Sequence, residues 1–397
     1  MPRLGRQLAS LVAVTAAVLG GLIWYRNRHA FFDLHIYWRA VHWWAGGHPL
    51  YDFSQPDPVQ GSLGFTYPPF AALLFYPLAW LAWPPAQVAM FVLTAALITL
   101  TTFWVVGPVA QRAGWPRWYA VALAVPLACA MEPIRETVAF GQINMVLVAM
   151  VLADLVLLSR GSRWAGIGIG LATAIKLLPG IFIVYLLITR RWRAAVTAMA
   201  AAAGATLLTA AIFPKDSWRF FTDALWQTSR VGKPDYVANQ SLLGLLTRVG
   251  ITWLWIPGVI IIVGYGLWRA RRAAAAGDEL AGFTLAGLVG SLVSPISWHH
   301  HLYWVFPAVV LLVAARRRTL TGLGALIWVT FAAGTVFLFE RGRAFHSFTG
   351  LHHTPVGFLI DNAYVLSMLI LLVALPIREI RPGPQPADAP LETAGRA

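Results

Sequence analysis

Three groups of residues combine types and spacing suited to chemistry. Asp33 lies in Phe32-Asp33-Leu34-His35-Ile36-Tyr37, a few residues past the first apolar stretch, where an acid is close to a bilayer yet reachable by water. A carboxylate there can take a proton from a substrate hydroxyl. Asp before an apolar run also commonly caps a helix, and the two roles are compatible. His299, His300 and His301 form a consecutive run after Pro295. Adjacent histidines lack the i, i+4 spacing that sets two zinc ligands on one helix face, so no metal is expected. Lys176 is the only lysine inside an apolar stretch, and an intramembrane cation is expensive enough to call for a partner. Asp154 is a structural candidate, and snorkelling to the outer interface is another resolution.

The elements that position these residues follow from composition. Of 397 residues, 58% are hydrophobic and 12% charged, with a mean hydropathy of +0.66. A water-soluble domain of this size can neither bury nor expose so much apolar surface, so the chain reads as an all-α polytopic membrane protein. Its net charge of +14 is dispersed in short clusters such as Arg112/Arg117, Arg160/Arg163, Arg190/Arg191/Arg193, Arg269/Arg271/Arg272 and Arg316 to Arg318. These fall at the ends of apolar stretches, the topogenic pattern of a membrane protein, and not on one basic surface that would bind nucleic acid. One cysteine, Cys129, leaves no disulfide within the chain. The first stretch follows Arg3 and Arg6 like a signal peptide, but no persuasive cleavage site precedes Phe31, so a retained helix is expected.

Spans are expected near residues 7–25, 86–106, 118–131, 143–158, 164–176, 178–189, 192–213, 251–269, 280–297, 299–315, 320–338 and 355–377, about twelve, with both termini cytoplasmic. The run from Pro68 to Trp83 is short and closed by Pro84-Pro85, as a re-entrant element on the outer side would be. The segments flanking Lys176-Leu177-Leu178-Pro179 read as a hairpin bent by Pro179. This topology puts all ten histidines, His29, His35, His42, His48, His299 to His301, His346, His352 and His353, on outer segments or their edges. Most acids join them, among them Asp52, Asp57, Glu132 and Glu136. An active site on the extracytoplasmic side of the plasma membrane is therefore expected. Residues 1–380 form one membrane domain, and the Pro-rich tail 381–397 is expected to be a disordered cytoplasmic segment.

The first outer loop spans about residues 26–69. After Asp33, the aromatic stretch Tyr37-Trp38-Arg39-Ala40-Val41-His42-Trp43-Trp44-Ala45 fits a helix lying in the interface, ended by Gly46-Gly47. Phe65-Thr66-Tyr67-Pro68-Pro69-Phe70 then makes a rigid re-entry. The Asp33-Leu34-His35-Ile36-Tyr37 and Thr66-Tyr67-Pro68-Pro69-Phe70 segments, in this order after a first span, resemble the actinobacterial polyprenyl-phosphate-mannose-dependent mannosyltransferases of glycosyltransferase family 87. The resemblance continues with Gly141-Gln142-Ile143-Asn144, Lys176-Leu177-Leu178-Pro179, Asn239-Gln240-Ser241-Leu242 and Ser294-Pro295-Ile296-Ser297-Trp298-His299-His300-His301, so it covers almost the whole membrane region.

What the resemblance implies is a GT-C fold in which an acid of the first outer loop is the base, here Asp33. The implied donor is a polyprenyl-phosphate-mannose, the acceptor a lipid-linked glycan of the phosphatidylinositol mannoside or lipomannan type, with membrane lipids as surroundings and no further cofactor. Because such donors carry β-linked mannose, one in-line displacement giving an α-1,2 linkage inverts the anomeric centre and needs a single base. The donor phosphate is the leaving group, and His300, His299, Lys176 and Arg135 are the candidates to stabilise it. Consecutive helical residues point about 100° apart, so one or two of the three histidines can face one site. Arg135 could instead pair with Glu136. His35, Tyr37, Tyr67, Gln142, Asn144 and Trp298 are the implied substrate contacts, with Asn239 and Gln240 poised between that role and a structural one. A related enzyme using another polyprenyl-phosphate sugar, or a lipid-linked sugar transporter or flippase, are the alternatives. A transporter would carry intramembrane charges along a pathway, and here only Lys176 and Asp154 qualify.

Overall fold

The structure, a computed structural model, describes residues 2–25, 30–57, 61–227, 230–338 and 354–380. His29, His346, His352, His353 and the tail 381–397 lie outside the described residues. The apolar stretches fold as helices close to where their hydropathy places them. In chain order these are α1 (Pro2–Tyr25), α2 (Phe32–Ala45), α3 (Pro69–Phe75), α4 (Trp83–Arg112), α5 (Arg117–Ala130), α6 (Glu132–Phe140), α7 (Asn144–Ser159), α8 (Ile167–Ile175) and α9 (Ile181–Ile188). There follow α10 (Trp192–Ile212), α11 (Pro214–Thr222), α12 (Leu242–Arg248), α13 (Trp255–Ala275), α14 (Glu279–Val293), α15 (Val305–Ala314), α16 (Arg318–Ala333), α17 (Pro355–Asp361) and α18 (Ala363–Ala374).

Among the described residues, length and composition make α1, α4, α10 and α13 candidate membrane spans. The α17–α18 pair, bent by 74°, forms a fifth if it is one broken span. Helices α5, α7, α14, α15 and α16 are apolar but shorter. Large apolar side chains stand exposed along the long helices, Val88, Phe91 and Val92 on α4, Leu207 and Leu208 on α10, Ile260 and Ile261 on α13. Water would not tolerate such surfaces; lipid would. The centre is α14, whose residues from Leu280 to Leu292 are all buried. Its glycines allow the close approach: a Cβ on Gly287 would lie 2.2 Å from Trp304 Cγ, just before α15, and one on Gly282 would lie 2.4 Å from the Tyr185 hydroxyl.

The segment between α1 and α4 is not wholly helical. Residues Ser54–Asp57 (β1) pair antiparallel with Gly61–Gly64 (β2), Ser54 opposite Gly64 and Asp57 opposite Gly61. The pairing suits a stretch poor in helix formers, with prolines and glycines at its turns. Helix α2 buries Leu34, Tyr37, Val41 and Trp44 along one stripe at the spacing of a helix docked on a core. Asp216 ties its far end down by accepting from Trp44 Nε1 and from the backbone N–H of Leu50, both at 3.0 Å.

Two local expectations are corrected. His299–His301 form a 3-10 turn and not part of an α-helix, because Pro295 and the extended Trp298 start it outside any longer helix. The chain also leaves helical geometry at Lys176 itself, which is extended with φ −150° and ψ 130° between α8 and the 3-10 turn Leu178–Gly180. Pro179 follows inside that turn; a residue preceding the turn is thereby freed to point away from both helix axes.

Candidate active site

A cavity of about 970 Å³ opens between α2, the β1–β2 hairpin, the α8–α9 break and the histidine turn. Asp33, Tyr37, Tyr67, Gln142, Lys176, Trp298, His299, His300 and His301 all line it. These motif residues thus come from five separate stretches of chain to one surface.

Asp33 sits in the first turn of α2, where the helix dipole favours an anion. It does not cap the helix: Phe31 occupies the cap position and offers no side-chain bond. The Asp33 carboxylate instead accepts from Gln142 Nε2 at 2.6 Å. Burial pushes the Asp33 carboxyl from 3.8 up to about 6, while the Gln142 amide and then the charge of Lys176 pull the other way. A carboxylate held there is ionised at neutral pH yet basic enough to take a proton.

Gln142 is reached by an unusual turn. Gly141 closes α6 at φ +66°, and a Cβ at that position would lie 2.7 Å from Leu34 Cβ and 2.9 Å from Phe31 Cδ1. Only glycine lets the start of α2 pack on the end of α6, where Phe31 N also donates to Ala139 O at 3.0 Å. On its other side Gln142 Oε1 accepts from the Tyr37 hydroxyl at 2.8 Å and the Tyr67 hydroxyl at 3.1 Å.

On another wall, Lys176 Nζ lies 2.9 Å from His301 Nε2 and donates to Asn144 Oδ1 at 3.3 Å, with the Tyr67 ring centroid 5.3 Å away. Asp154, the partner considered from sequence, is elsewhere: it accepts from the backbone N–H of Ile169 at 2.7 Å and serves the start of α8. His301 therefore joins His300 and His299, the expected phosphate candidates, in the site, and it is the one beside Lys176. All three residues of the 3-10 turn line the cavity.

Other expected contacts are placed differently. Asn239 is fully buried, its amide NH2 donating to Pro234 O and Pro295 O and its Oδ1 accepting from the backbone N–H groups of Ser241 and Ser297. Gln240 is likewise bonded to Val237 O, Asp361 O and Val365 N. Both staple the histidine turn to its neighbours and neither lines the cavity. Asn144 stands behind the wall, donating to His300 O at 2.9 Å. His35 packs on Trp83, ring centroids 4.9 Å apart, outside the cavity lining. Arg135 is occupied by Glu136 at 3.5 Å and by the carbonyls of Ala130 and Ala332, while Glu132 and Glu136 themselves line the cavity. Asp57 and Arg230 also line it, the latter donating to Tyr51 O at 2.7 Å. Arg230 lies in a polar loop that no motif singled out, and only the fold brings it here. Among the described residues no group of three or more His, Cys, Asp or Glu side chains is arranged to hold a metal ion.

An acid that can accept a proton and a cationic corner able to hold an anion on the same cavity suit displacement of an anionic leaving group by a hydroxyl. Comparison with known proteins gives this site a family. The profile of glycosyltransferase family 87 matches residues 65–295. The chain is 36% identical over 340 residues to the polyprenol-phosphate-mannose-dependent alpha-(1-2)-phosphatidylinositol mannoside mannosyltransferase of Mycobacterium tuberculosis, covering 80% of this chain and 79% of that one. It is 34% identical over 341 residues to the corresponding phosphatidylinositol pentamannoside mannosyltransferase of Mycolicibacterium smegmatis, covering 81% and 80%. An alpha-(1->3)-arabinofuranosyltransferase of Corynebacterium glutamicum is 26% identical over 289 residues, covering 69% and 65%. No solved structure matches significantly. With a family profile matched over residues 65–295 and relatives similar along four-fifths of its length, the chain belongs to glycosyltransferase family 87.

Proposed function

We propose that the protein transfers mannose from polyprenyl-phosphate-mannose to a hydroxyl of a phosphatidylinositol mannoside or related lipid-linked glycan, with inversion and an α-1,2 linkage, on the extracytoplasmic face of the plasma membrane. The reading rests above all on Asp33 and the Lys176–His301 pair sharing one cavity in a chain of this family. Asp33 takes the acceptor proton as the hydroxyl oxygen attacks the anomeric carbon. The sugar–phosphate bond breaks, and Lys176 with the histidine turn receives the negative charge that develops on the phosphate. Leu177, Leu178 and Phe140 give the same cavity an apolar wall suited to a prenyl chain. The architecture proposed is GT-C, with about twelve crossings, α2 at the interface and both termini cytoplasmic.

A second reading keeps the mechanism and changes the sugar. It is supported by the similarity to arabinofuranosyltransferases. Purified protein incubated with radiolabelled polyprenyl-phosphate-mannose, or with the arabinofuranose donor, and a panel of lipid-linked acceptors separates the readings. Label from the mannose donor in a phosphatidylinositol mannoside supports the first. Label only from the arabinofuranose donor supports the second, and movement of intact donor across a vesicle membrane without transfer overturns both.

A further inference from the structure

The residues around Gln142 carry a role that substrate contact does not explain. Tyr37 and Tyr67 are buried, at 2% and 8% exposure, and their hydroxyls lie 2.8 Å from each other. Tyr37 stacks on Phe75 with ring centroids 4.5 Å apart, and the backbone carbonyl of Tyr67 accepts from the Tyr51 hydroxyl at 2.8 Å. Both rings are thus held from behind while both hydroxyls converge on Gln142 Oε1.

An ionised carboxylate can only accept hydrogen bonds, so the amide must turn its NH2 toward Asp33 and its oxygen toward the tyrosines. The reverse orientation would set an amide oxygen against a carboxylate oxygen at 2.6 Å. With one proton on each hydroxyl, one tyrosine can donate to the other and the second to Gln142 Oε1, and the donor direction still runs from the tyrosines through Gln142 to Asp33. We propose that Gln142 is the positioning residue of the base, its amide locked by Tyr37 and Tyr67 so that one Asp33 oxygen is held and the other is left to the acceptor hydroxyl. The inference rests on Asp33 being the base.

Gln142→Leu, Gln142→Glu and the Tyr37→Phe/Tyr67→Phe double variant test it through pH profiles of kcat and kcat/KM. Loss of the amide bond should lower kcat on the order of 10-fold to 100-fold with little change in either KM. It should also move the acid limb to higher pH, because a hydrogen bond to the charged form is gone. Gln142→Glu keeps the shape and sets two carboxylates together, so its acid limb should move further up. The double tyrosine variant keeps both rings in place and should shift the limb in the same direction; adding Gln142→Leu to it should cost little more, since the residues act as one unit. An acid limb unchanged in Gln142→Glu and in the tyrosine pair, or a raised KM with kcat intact, overturns the positioning role. Failure of the base reading looks different: Asp33→Asn would then retain its rate. An inactive Asp33→Asn beside pH-normal Gln142 variants sinks the positioning role alone.

Discussion

Lys176 Nζ lies 2.9 Å from His301 Nε2, while His301 Nδ1 accepts from the backbone N–H of Trp298 at 3.2 Å. With Nδ1 accepting, a neutral ring carries its proton on Nε2, aimed at Lys176. An ammonium and an imidazole N–H then meet at one point and compete for one acceptor. An anionic oxygen inserted there satisfies both, which is what a departing phosphate offers.

Lys176→Ala and His301→Ala should each lower transfer on the order of 10-fold to 1000-fold, the range of a lost oxyanion donor. Lys176→Arg should restore little, because a planar fork does not replace a compact ammonium beside a ring. Steady-state rates with the mannose donor measure this. Near-wild-type turnover in both alanine variants would remove the phosphate assignment.

Sequence makes much of this site legible and leaves its internal wiring hidden. Hydropathy locates α4, α10 and α13 because each is a long apolar run, and Asp33, Lys176 and the histidine run stand out because polar chemistry is scarce among apolar residues. The pairing of Lys176 with His301 and not Asp154 depends on a break at Lys176 that turns its side chain out of both helices, a tertiary fact. Asn239 and Gln240 stay open in sequence between sugar contact and a structural role, since an amide that bonds backbone and one that bonds substrate have the same letter. Arg230 was invisible for the opposite reason, an ordinary arginine in a polar loop.

Asn239→Ala should fail as a fold variant and not as a binding variant. It would leave Pro234 O and the backbone N–H groups of Ser241 and Ser297 without their partner, while Pro295 O keeps the Ser241 hydroxyl, at about 1–3 kcal/mol for each one left unsatisfied. The expected result is a lower Tm and yield, with unchanged KM in the folded fraction. A stable Asn239→Ala protein with a raised KM would return this residue to the substrate surface.

Topology has its own test, in a Cys129→Ser background. Cysteines at His48 and Asp235 should react with an impermeant thiol reagent on intact cells, and cysteines at Gln111, Ser162 and Ala275, beside the arginine clusters, should not. Reaction at Gln111 from outside would mean that the Pro69–Trp80 element crosses the membrane.

Asp33→Asn should abolish nearly all transfer, on the order of 100-fold to 10,000-fold for a lost general base, while making the protein more stable at neutral pH. The sign follows from the carboxyl, raised from 3.8 to about 6. The native state holds this proton more tightly than the unfolded chain, so ionisation costs stability as pH climbs from about 4 to 6, and the cost persists above. Asn carries no such cost. Its Tm should match wild type near pH 4 and exceed it above pH 6. The wild-type kcat/KM should rise through the same interval as the base ionises. A folded Asp33→Asn protein with near-normal transfer would point instead to Asp57, which lines the cavity; Asp52 is paired with Arg219 at 2.5 Å and does not line it.

Gly141→Ala joins fold and chemistry in one substitution. The positive φ of +66° costs an alanine about 1–2 kcal/mol, and the new methyl would press on Leu34 Cβ at 2.7 Å, one residue from Asp33. Relief requires α2 to move off the end of α6, which lengthens the 2.6 Å bond between Gln142 and Asp33. The variant should therefore lose both Tm and kcat, and its acid limb should shift upward as in Gln142→Leu. Because the clash is with Cβ, trimming the neighbour by Leu34→Ala should not rescue it. A Gly141→Ala enzyme with wild-type kcat and an unmoved acid limb would show that the α2–α6 contact does not hold the base in place.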